Sequence, residues 1–323
     1  MNIIGNTAEM MNSLGERRIP FLFILDFEMK KPIVLPLAEV SSEEILFDFN
    51  TVSNAPQKEV PATINFRKQP PSFVNYQKAF DKVMYHLRRG DSYLLNLTMP
   101  TEIETDCPLR DMFFMTKAKY KLWLKDSFLC FSPEIFVRTE GSRIFTHPMK
   151  GTIDAAVPEA ERILMDNRKE QAEHATIVDL LRNDLNMIAK KVRVDSFRYI
   201  DRIPTNEKEI LQVSSMISGE LPDDFHCMIG DMLMTMLPAG SVSGAPKKKT
   251  VEIIRETEQE DRGYYTGICG IFDGENLDSG VMIRFIEVQG ESLRFRSGGG
   301  ITVNSNVESE YQELIDKVYV PLV

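Results

Sequence analysis

The chain has 323 residues, 43% of them hydrophobic and 27% charged, which excludes an intrinsically disordered protein and predicts a globular one with a large core. Its longest apolar runs, such as FLFIL at 21–25, are far shorter than the roughly 20 residues of a membrane helix, so a soluble, cytoplasmic protein with no membrane association is predicted. The formal net charge of −10 disfavours a nucleic-acid partner, and an anionic ligand would need a local cationic pocket.

The first part of the chain combines short apolar runs with polar turns. Residues 21–49 predict a small β-meander, and the polar, proline-containing stretch 51–72 predicts a linker-like loop. Residues 73–89 carry apolar side chains at helical spacing, which predicts a helix. The segment YLLNLT follows and predicts a strand.

The clearest hairpin pattern is FLCFSPEIFVR, then TEGS, then RIFTHP. A two-residue turn that begins at Glu140 would place Glu134 opposite His147. Pro148 cannot donate a ladder hydrogen bond, so the pairing should end there and leave Lys150 just beyond the strand, close to Glu134.

The second half of the chain alternates long helical patterns with hairpins. Residues 158–190 predict one long helix, and residues 223–258 predict a helix, a Gly/Ser-rich loop and a second helix. Residues 264–304 predict strands and hairpins, and ESEYQELIDK predicts a final helix. This mixture predicts an α+β fold with antiparallel sheets rather than a doubly wound parallel sheet.

Lys150, in the stretch THPMKGT, has three possible roles: a solvated charge, an anion clamp or a nucleophile. Most lysines are solvated, because charged side chains are seldom buried. A nucleophilic lysine needs an amine that desolvation or a nearby cation keeps partly neutral, and an acid that protonates the leaving group. Glu134 is the candidate acid, and the residues alone leave all three roles open.

Two pairs of glutamates have three-residue spacing: Glu170 with Glu173, and Glu310 with Glu313. Each pair lies on one face of a predicted helix, and two such faces could form an all-oxygen site suited to Mg²⁺. The chain has 48 acidic residues, so solvated pairs of this kind are also common, and Glu313 with Lys317 could be an exposed ion pair. Both interpretations stay open on the residues alone.

Two glycine-rich stretches could bind an anion. LPAGSVSGAPKKKT at 237–250 precedes a predicted helix but lacks the nucleotide P-loop pattern, which favours a small carboxylate over a nucleotide phosphate. SGGGI at 297–301 offers a second backbone concavity, although both stretches could be ordinary glycine turns. Arg284 lies within the apolar pattern GVMIRFIEV, where a mid-strand arginine usually contacts a carboxylate or another partner.

These segments together resemble the chorismate-utilising enzymes, the family of anthranilate synthase component I, aminodeoxychorismate synthase component I, and isochorismate and salicylate synthases. The resemblance covers about residue 75 to the end and rests on SPEIFVR, PMKGT, AEHATIVDLLRNDL, LPAGSVSGAPKKKTVEII, RGYYTG, IRF, GGGI and ESEYQELIDK, all in family order. It implies large antiparallel β-sheets packed as a sandwich and flanked by helices. It also implies a shortened, β-rich N-terminal part at 1–75 that is continuous with a chorismate-binding catalytic core at 76–323.

The resemblance also implies the functional residues. A Mg²⁺ site would lie at Glu173 and Glu313, with Glu170 and Glu310 as close or water-mediated neighbours. Glu134 matches the family's general acid, which protonates the departing ring hydroxyl. The carboxylates of chorismate would be held by Gly151, Thr152, Tyr265, Arg284, Gly298, Gly299 and Lys317.

Lys150 indicates the branch of the family. Anthranilate synthases resemble PIAGT at this place, whereas the aminodeoxychorismate branch has a lysine, as in PMKGT. The resemblance implies that Lys150 displaces the ring hydroxyl and forms a covalent adduct, which ammonia converts to 4-amino-4-deoxychorismate for p-aminobenzoate and folate synthesis. Isochorismate and salicylate synthases have a water-activating lysine where this chain has Leu94, which disfavours water as the nucleophile.

The source of nitrogen is expected to lie outside the chain. No Cys/His/Glu amidotransferase segment is visible, so a separate glutamine amidotransferase subunit, or free ammonia, would supply it. The N-terminal part is much shorter than that of the family's longer members, which contains a tryptophan pocket, so binding of an amino acid is not implied. Anthranilate synthase component I, isochorismate synthase and a catalytically idle chorismate-binding subunit remain as the alternatives.

Overall fold

The computed structural model describes residues 3–50, 52–58, 63–204 and 209–322, so part of the predicted loop at 51–72 lies outside the described residues. The helices are α1 (Ile3–Glu16), α2 (Phe73–Arg88), α3 (Leu109–Met115), α4 (Ala160–Asp166), α5 (Arg168–Asn186), α6 (Ile229–Met236), α7 (Gly240–Ser243), α8 (Lys247–Glu258) and α9 (Val307–Asp316). The strands are β1 (Phe21–Leu25), β2 (Ile33–Pro36), β3 (Ile45–Phe49), β4 (Val52–Ser53), β5 (Phe66–Gln69), β6 (Leu94–Thr105), β7 (Tyr120–Leu124), β8 (Phe128–Ser132), β9 (Ile135–Glu140), β10 (Arg143–Thr146), β11 (Met149–Asp154), β12 (Lys190–Pro204), β13 (Glu209–Glu220), β14 (Gly244–Ala245), β15 (Ile268–Phe272), β16 (Leu277–Val281), β17 (Phe285–Gln289) and β18 (Ser292–Ile301).

The predicted α+β class is confirmed, because large antiparallel sheets combine with helices. The chain divides into two compact units, each made of separated chain segments. The first unit comprises Met1–Pro20, Ile135–Ser241 and Phe272–Ser279; the second comprises Phe21–Glu134, Val242–Ile271 and Gly280–Val323. The division at residue 75 stays a prediction. None of the helices in the described part of the chain is long and apolar enough to span a membrane.

The sheet of the first unit supports the PMKGT segment. Its strand order is β11, β13, β10, β9, and β12 also pairs with β13. Helices α4 and α5 pack against β11 and β13. Ala160, Leu164, Leu211 and Val213 form an apolar cluster between α4 and these strands. Because a fully buried leucine contributes roughly 1.5–3 kcal/mol, this packing fixes the backbone of β11.

The second unit contains a long antiparallel sheet with the order β14, β6, β18, β17, β8, β7, β3, β4, in which β5 also pairs with β6. Strands β15, β1 and β2 lie side by side in the same unit. Helices α2, α8 and α9 pack on β6, and α9 also packs on β18. Buried residues of these helices and strands, among them Leu97, Ile254 and Leu314, form one apolar cluster. The cluster holds α9 against the glycine-rich end of β18.

The predicted hairpin has a different register. Strands β9 and β10 pair with Arg143 opposite Glu140, so the turn residues are Gly141 and Ser142, and the predicted pairing of Glu134 with His147 is wrong. Gly141 has a φ of +57°, which suits the first position of a type II′ turn. Strand β8, which was expected in the same hairpin, pairs instead with β7 and β17.

The predicted helix over 158–190 is interrupted. Asn167 is extended between α4 and α5, and its side chain accepts a hydrogen bond from the backbone N–H of Glu170. This N-cap begins a new helix and places Glu170 in the first turn. The expected helix, loop and helix over 223–258, the strands over 264–304 and the final helix α9 are confirmed.

Candidate active site

Lys150 lies beyond the end of β10, as the hairpin pattern predicted, but it belongs to a further strand, β11, which the pattern did not predict. It pairs with Val213 of β13, and the register shifts between Lys150 and Thr152. Gly151 occupies this bulge with a φ of +74°, a conformation that favours glycine. The sequence could not indicate this arrangement, because β13 begins more than fifty residues after β11. The bulge interrupts the regular alternation of side chains directly beside Lys150.

The first unit brings Lys150 together with the glutamates of α5. The ammonium of Lys150 lies 2.9 Å from Glu173 Oε2, and the lysine side chain is 23% exposed while Glu173 is buried. A Cβ on Gly151 would lie 3.4 Å from Glu170 Oε2, so the missing side chain leaves room for that carboxylate. Thr152, also predicted as a ligand contact, is exposed on the same strand. A potential nucleophile, a glycine bulge and two carboxylates therefore lie side by side.

His174 also belongs to this region, although the sequence reasoning did not single it out. Its Nε2 lies 2.6 Å from Ser215 Oγ, which accepts a hydrogen bond from the backbone N–H of Arg198 at 2.9 Å. Burial lowers the pKa of His174 to about 4, and the charges of Arg198 and Lys150 add to the shift. The imidazole is therefore neutral at neutral pH. The sequence feature that could have indicated His174 is its position directly after Glu173 in AEHATIVDLLRNDL.

The second unit places its glutamate pair against the glycines of β18. A Cβ on Gly299 would lie 3.5 Å from Glu310 Oε2 and from Glu313 Oε1. Glu310 lies in the first turn of α9, where the helix dipole favours a negative charge, and its side chain is buried. On Gly298, a Cβ would lie 2.4 Å from the carbonyl oxygen of Leu97, so the backbones of β18 and β6 are too close for a side chain there.

Lys317 joins the helix and the glycine segment. Its ammonium lies 2.6 Å from Glu313 Oε1 and donates to the carbonyl oxygen of Gly298 at 2.7 Å. The i,i+4 contact of Glu313 with Lys317, which was one of two open interpretations, is present, and Lys317 also contacts the backbone of β18. This arrangement brings five predicted residues of the second unit together: Gly298, Gly299, Glu310, Glu313 and Lys317.

Arg284 lies outside a regular strand, contrary to the prediction. It occupies the break between β16 and β17 and has a φ of +53°, a strained value for a residue with a Cβ. Its guanidinium carbon lies 5.3 Å from the centre of the Tyr319 ring, and its Nε is buried without a hydrogen-bond partner. Strained backbone of this kind is frequent at ligand-binding positions.

Tyr265 and Glu134 are fixed by their surroundings in the second unit. Burial raises the pKa of Tyr265 to about 12, so its phenol stays protonated and can donate to an anion. Glu134 follows β8 and is half-buried. Its N–H donates to Ser132 Oγ and its carbonyl oxygen accepts from Val281 N, which orders the backbone that carries this carboxyl group.

Leu94 stands at the position where the family resemblance gives some members a lysine. It is buried, and its Cδ1 would lie 3.2 Å from a Cβ on Gly300. An apolar side chain therefore lines the glycine segment of β18 at this point.

The chemistry of the glutamates fits a hard cation. Within either unit, the described residues contain no group of three or more His, Cys, Asp or Glu side chains that could hold a metal. The first unit presents Glu170 beside Gly151 and Glu173 beside Lys150, and the second presents Glu310 and Glu313 beside Gly299. Carboxylate oxygens are the ligands that Mg²⁺ accepts, together with water.

Comparisons with known proteins give matches to one enzyme family. A family model described as chorismate binding enzyme matches residues 33–323. A protein of Haemophilus influenzae named Uncharacterized PabA-like protein is 52% identical over 314 residues, which are 97% of this chain and 96% of that protein. Aminodeoxychorismate synthase component 1 of Salmonella typhimurium is 33% identical over 259 residues, 75% of this chain and 56% of that protein.

An anthranilate synthase component and an isochorismate synthase are also similar to this chain. Anthranilate synthase component 1 of Aquifex aeolicus is 38% identical over 195 residues, 58% of this chain and 38% of that protein. Among solved structures, MenF, the menaquinone-specific isochorismate synthase of Escherichia coli, has a TM-score of 0.74 at 17% identity, over 97% of this chain and 80% of that one. At this identity the structural likeness concerns the fold alone.

Proposed function

Because the chain belongs to the family of chorismate binding enzymes, we propose that it is the chorismate-converting component of an aminodeoxychorismate synthase. It would convert chorismate and ammonia to 4-amino-4-deoxychorismate, the precursor of p-aminobenzoate in folate synthesis. Lys150 would be the nucleophile and Glu134 the general acid.

The observation that carries this proposal is the position of Lys150. The lysine of PMKGT lies on an ordered strand beside a glycine bulge, 2.9 Å from a buried carboxylate and still 23% exposed. A solvated surface lysine has no need of such surroundings, whereas a nucleophile needs a fixed amine with access to a ligand.

The proposed reaction has two displacements that balance. In the first, the ammonium of Lys150 loses a proton to solvent, which it regains at the end of the cycle; the resulting amine forms a C–N bond to the ring while the C–O bond of the ring hydroxyl breaks, and Glu134 gives its proton so that water leaves. In the second, ammonia forms a C–N bond to the ring, and the amine of Lys150 leaves as a neutral group. The new ammonium then returns a proton to Glu134, which restores the enzyme.

Substrate binding would use cations and donors suited to a dianion. Arg284, Tyr265 and Lys317 supply a guanidinium, a protonated phenol and an ammonium. The further predicted contacts are Gly151, Thr152 and the backbone at Gly298 and Gly299. We propose Glu170, Glu173, Glu310 and Glu313 as the ligands of Mg²⁺, which when bound would neutralise the substrate carboxylate and offset the net charge of −10.

Two features weigh against the other members of the family. Anthranilate formation does not require a lysine at position 150. Isochorismate formation needs water activation, and Leu94 places a buried apolar group where a lysine would serve that purpose. A catalytically idle binding subunit would have no need of Lys150 and Glu134 together.

Product analysis tests the proposal. The purified protein is incubated with chorismate, Mg²⁺ and ammonium at mildly alkaline pH, and products are identified by liquid chromatography and mass spectrometry. Wild type should form 4-amino-4-deoxychorismate, and Lys150→Ala should lose or change that product. Lys191→Ala is the matched control, because Lys191 also pairs with a glutamate, Glu220 at 2.8 Å, on the surface of the same unit. Release of anthranilate or isochorismate by wild type would refute the assignment to this branch.

The nitrogen donor can be tested separately. A separate glutamine amidotransferase subunit is the proposed physiological partner, so the chain alone should use ammonium and not glutamine. Product formation from glutamine by the purified chain alone would contradict this part of the proposal.

A further inference from the structure

The segment after α9 holds Tyr319 in a defined place. Val318, directly before it, is buried in an apolar cluster, and its N–H donates to the carbonyl oxygen of Ile315. Further along, the carbonyl oxygen of Pro321 accepts from Lys117 N, and Leu322 pairs with Thr116. The segment is thus tied to the second unit on both sides of Tyr319, although the tyrosine residue itself is 47% exposed.

Tyr319 contacts Arg284, an arginine without an anionic partner among the described residues. The two large buried arginines of the same unit, Arg262 and Arg296, each bind carboxylates directly. Arg284 has no such ion pair in the part of the chain that the structure describes, its Nε is buried without a hydrogen-bond partner, and its φ is +53°. Its guanidinium lies 5.3 Å from the centre of the Tyr319 ring.

An aromatic ring and a carboxylate hold a guanidinium in different ways. A carboxylate occupies the N–H groups at the edge of the guanidinium, whereas the face of a ring attracts the positive charge and leaves the edge available. An arginine that must bind a ligand carboxylate through two N–H groups is therefore better held by a ring than by an acidic residue.

We propose that Tyr319 is a positioning residue, whose ring orients the Arg284 guanidinium for the carboxylate of the substrate. This inference rests on the proposed function, because it takes chorismate as the ligand of Arg284. The ring face has this effect, and the hydroxyl group is not needed for it.

Substitutions at Tyr319 distinguish the ring from the hydroxyl. The dissociation constant of chorismate in the presence of Mg²⁺ is measured by calorimetry, and kinetics are measured with ammonium. Tyr319→Leu should weaken binding and raise KM by about fivefold, the size of a partly exposed cation–π contact, with kcat little changed. Tyr319→Phe should restore binding to within about twofold of wild type, since the aromatic face remains.

The matched control is Tyr85→Leu. Tyr85, on α2 of the same unit, lies with its ring centre 5.2 Å from the guanidinium carbon of Arg89 and is 56% exposed. It is far from Arg284 in the sequence and is not among the residues proposed to bind chorismate. It should leave the dissociation constant of chorismate unchanged. Thermal unfolding of each variant by circular dichroism separates local effects from loss of the fold.

A double substitution makes the coupling explicit. In an Arg284→Met background, Tyr319→Leu should cause no further loss of chorismate binding, because the group that it orients is absent. Additive losses, or an equal loss in Tyr319→Phe and Tyr319→Leu, would overturn the positioning role. If wild type fails to bind chorismate, the proposed function itself is refuted; if Arg284→Met weakens binding and Tyr319→Leu does not, only the inference on Tyr319 fails.

Discussion

Glu258→Gln should destabilise the protein strongly, because it removes the counter-ion of a fully buried arginine. Arg262 is 1% exposed and Glu258 is 3% exposed, and Nε and Nη2 of the arginine donate to the two carboxylate oxygens at 2.8 and 2.7 Å. The same carboxylate accepts from the backbone N–H and the hydroxyl of Thr98. The pair therefore connects the end of α8 to β6.

The size of the effect follows from burial. Removing one partner of a buried ion pair costs about 3–5 kcal/mol, because the other charge stays buried without compensation. Glu252→Gln is the matched control on the same helix. Glu252 pairs with Lys249 at 3.1 Å, but both side chains are about half exposed, and such pairs contribute only about 0–1 kcal/mol.

Urea unfolding followed by circular dichroism measures both variants. Glu258→Gln should lower the free energy of unfolding by at least about 3 kcal/mol, and Glu252→Gln by less than about 1 kcal/mol. Replacing both members, as Glu258→Met with Arg262→Met, should recover part of the loss, since no isolated charge remains. Equal effects of the two glutamine substitutions would refute the reasoning.

Two further predictions concern a glycine and a histidine. Gly244→Ala should lower the free energy of unfolding in urea by about 3 kcal/mol or more, because its Cβ would lie 1.9 Å from the carbonyl oxygen of Leu94. Gly290→Ala, at a φ of +61° with open space around it, should lower it by only about 1–2 kcal/mol. A similar loss at both sites would contradict the packing argument. His174 has a folded pKa of about 4 against 6.5 without perturbation, so between these values the unfolded chain binds a proton that the folded one does not. Its contribution to stability should be complete above pH 6.5 and decline as pH falls towards 4, and His174→Gln should weaken this slope in pH-dependent urea unfolding; an unchanged slope would show that the imidazole is not held neutral.

The sequence predicted helix α9 of the site well. The three-residue spacing of Glu310 and Glu313 depends on local helical geometry, which a sequence pattern reports directly. The i,i+4 contact of Glu313 with Lys317 follows from the same geometry. These predictions needed no knowledge of the rest of the chain.

The strand environment of Lys150 was less predictable. Its neighbours on β13 are distant in the sequence, and the bulge at Gly151 arises only when β11 and β13 pair. The predicted hairpin register was wrong because the turn residues are Gly141 and Ser142 and not Glu140 and Gly141. This difference moves the partner of each strand residue by two positions. Both orders are compatible with the letters TEGS.

Arg284 illustrates a third limit. Its apolar neighbours indicate a continuous strand, but the backbone turns to a positive φ at this residue. Apolar alternation predicts which residues are buried but gives no information on a strained dihedral angle, because the surrounding packing imposes that angle. The interleaving of three chain segments in each unit is likewise a property of long-range contacts.

The most direct test of the central claim is the mass of the protein after incubation with chorismate and Mg²⁺ without ammonia, followed by rapid quenching and peptide mapping. A nucleophilic Lys150 should carry the mass of chorismate less one water, and addition of ammonium before quenching should remove it. An adduct that persists in Lys150→Ala, or formation of 4-amino-4-deoxychorismate by Lys150→Ala at the wild-type rate, would contradict the role of Lys150 as the nucleophile.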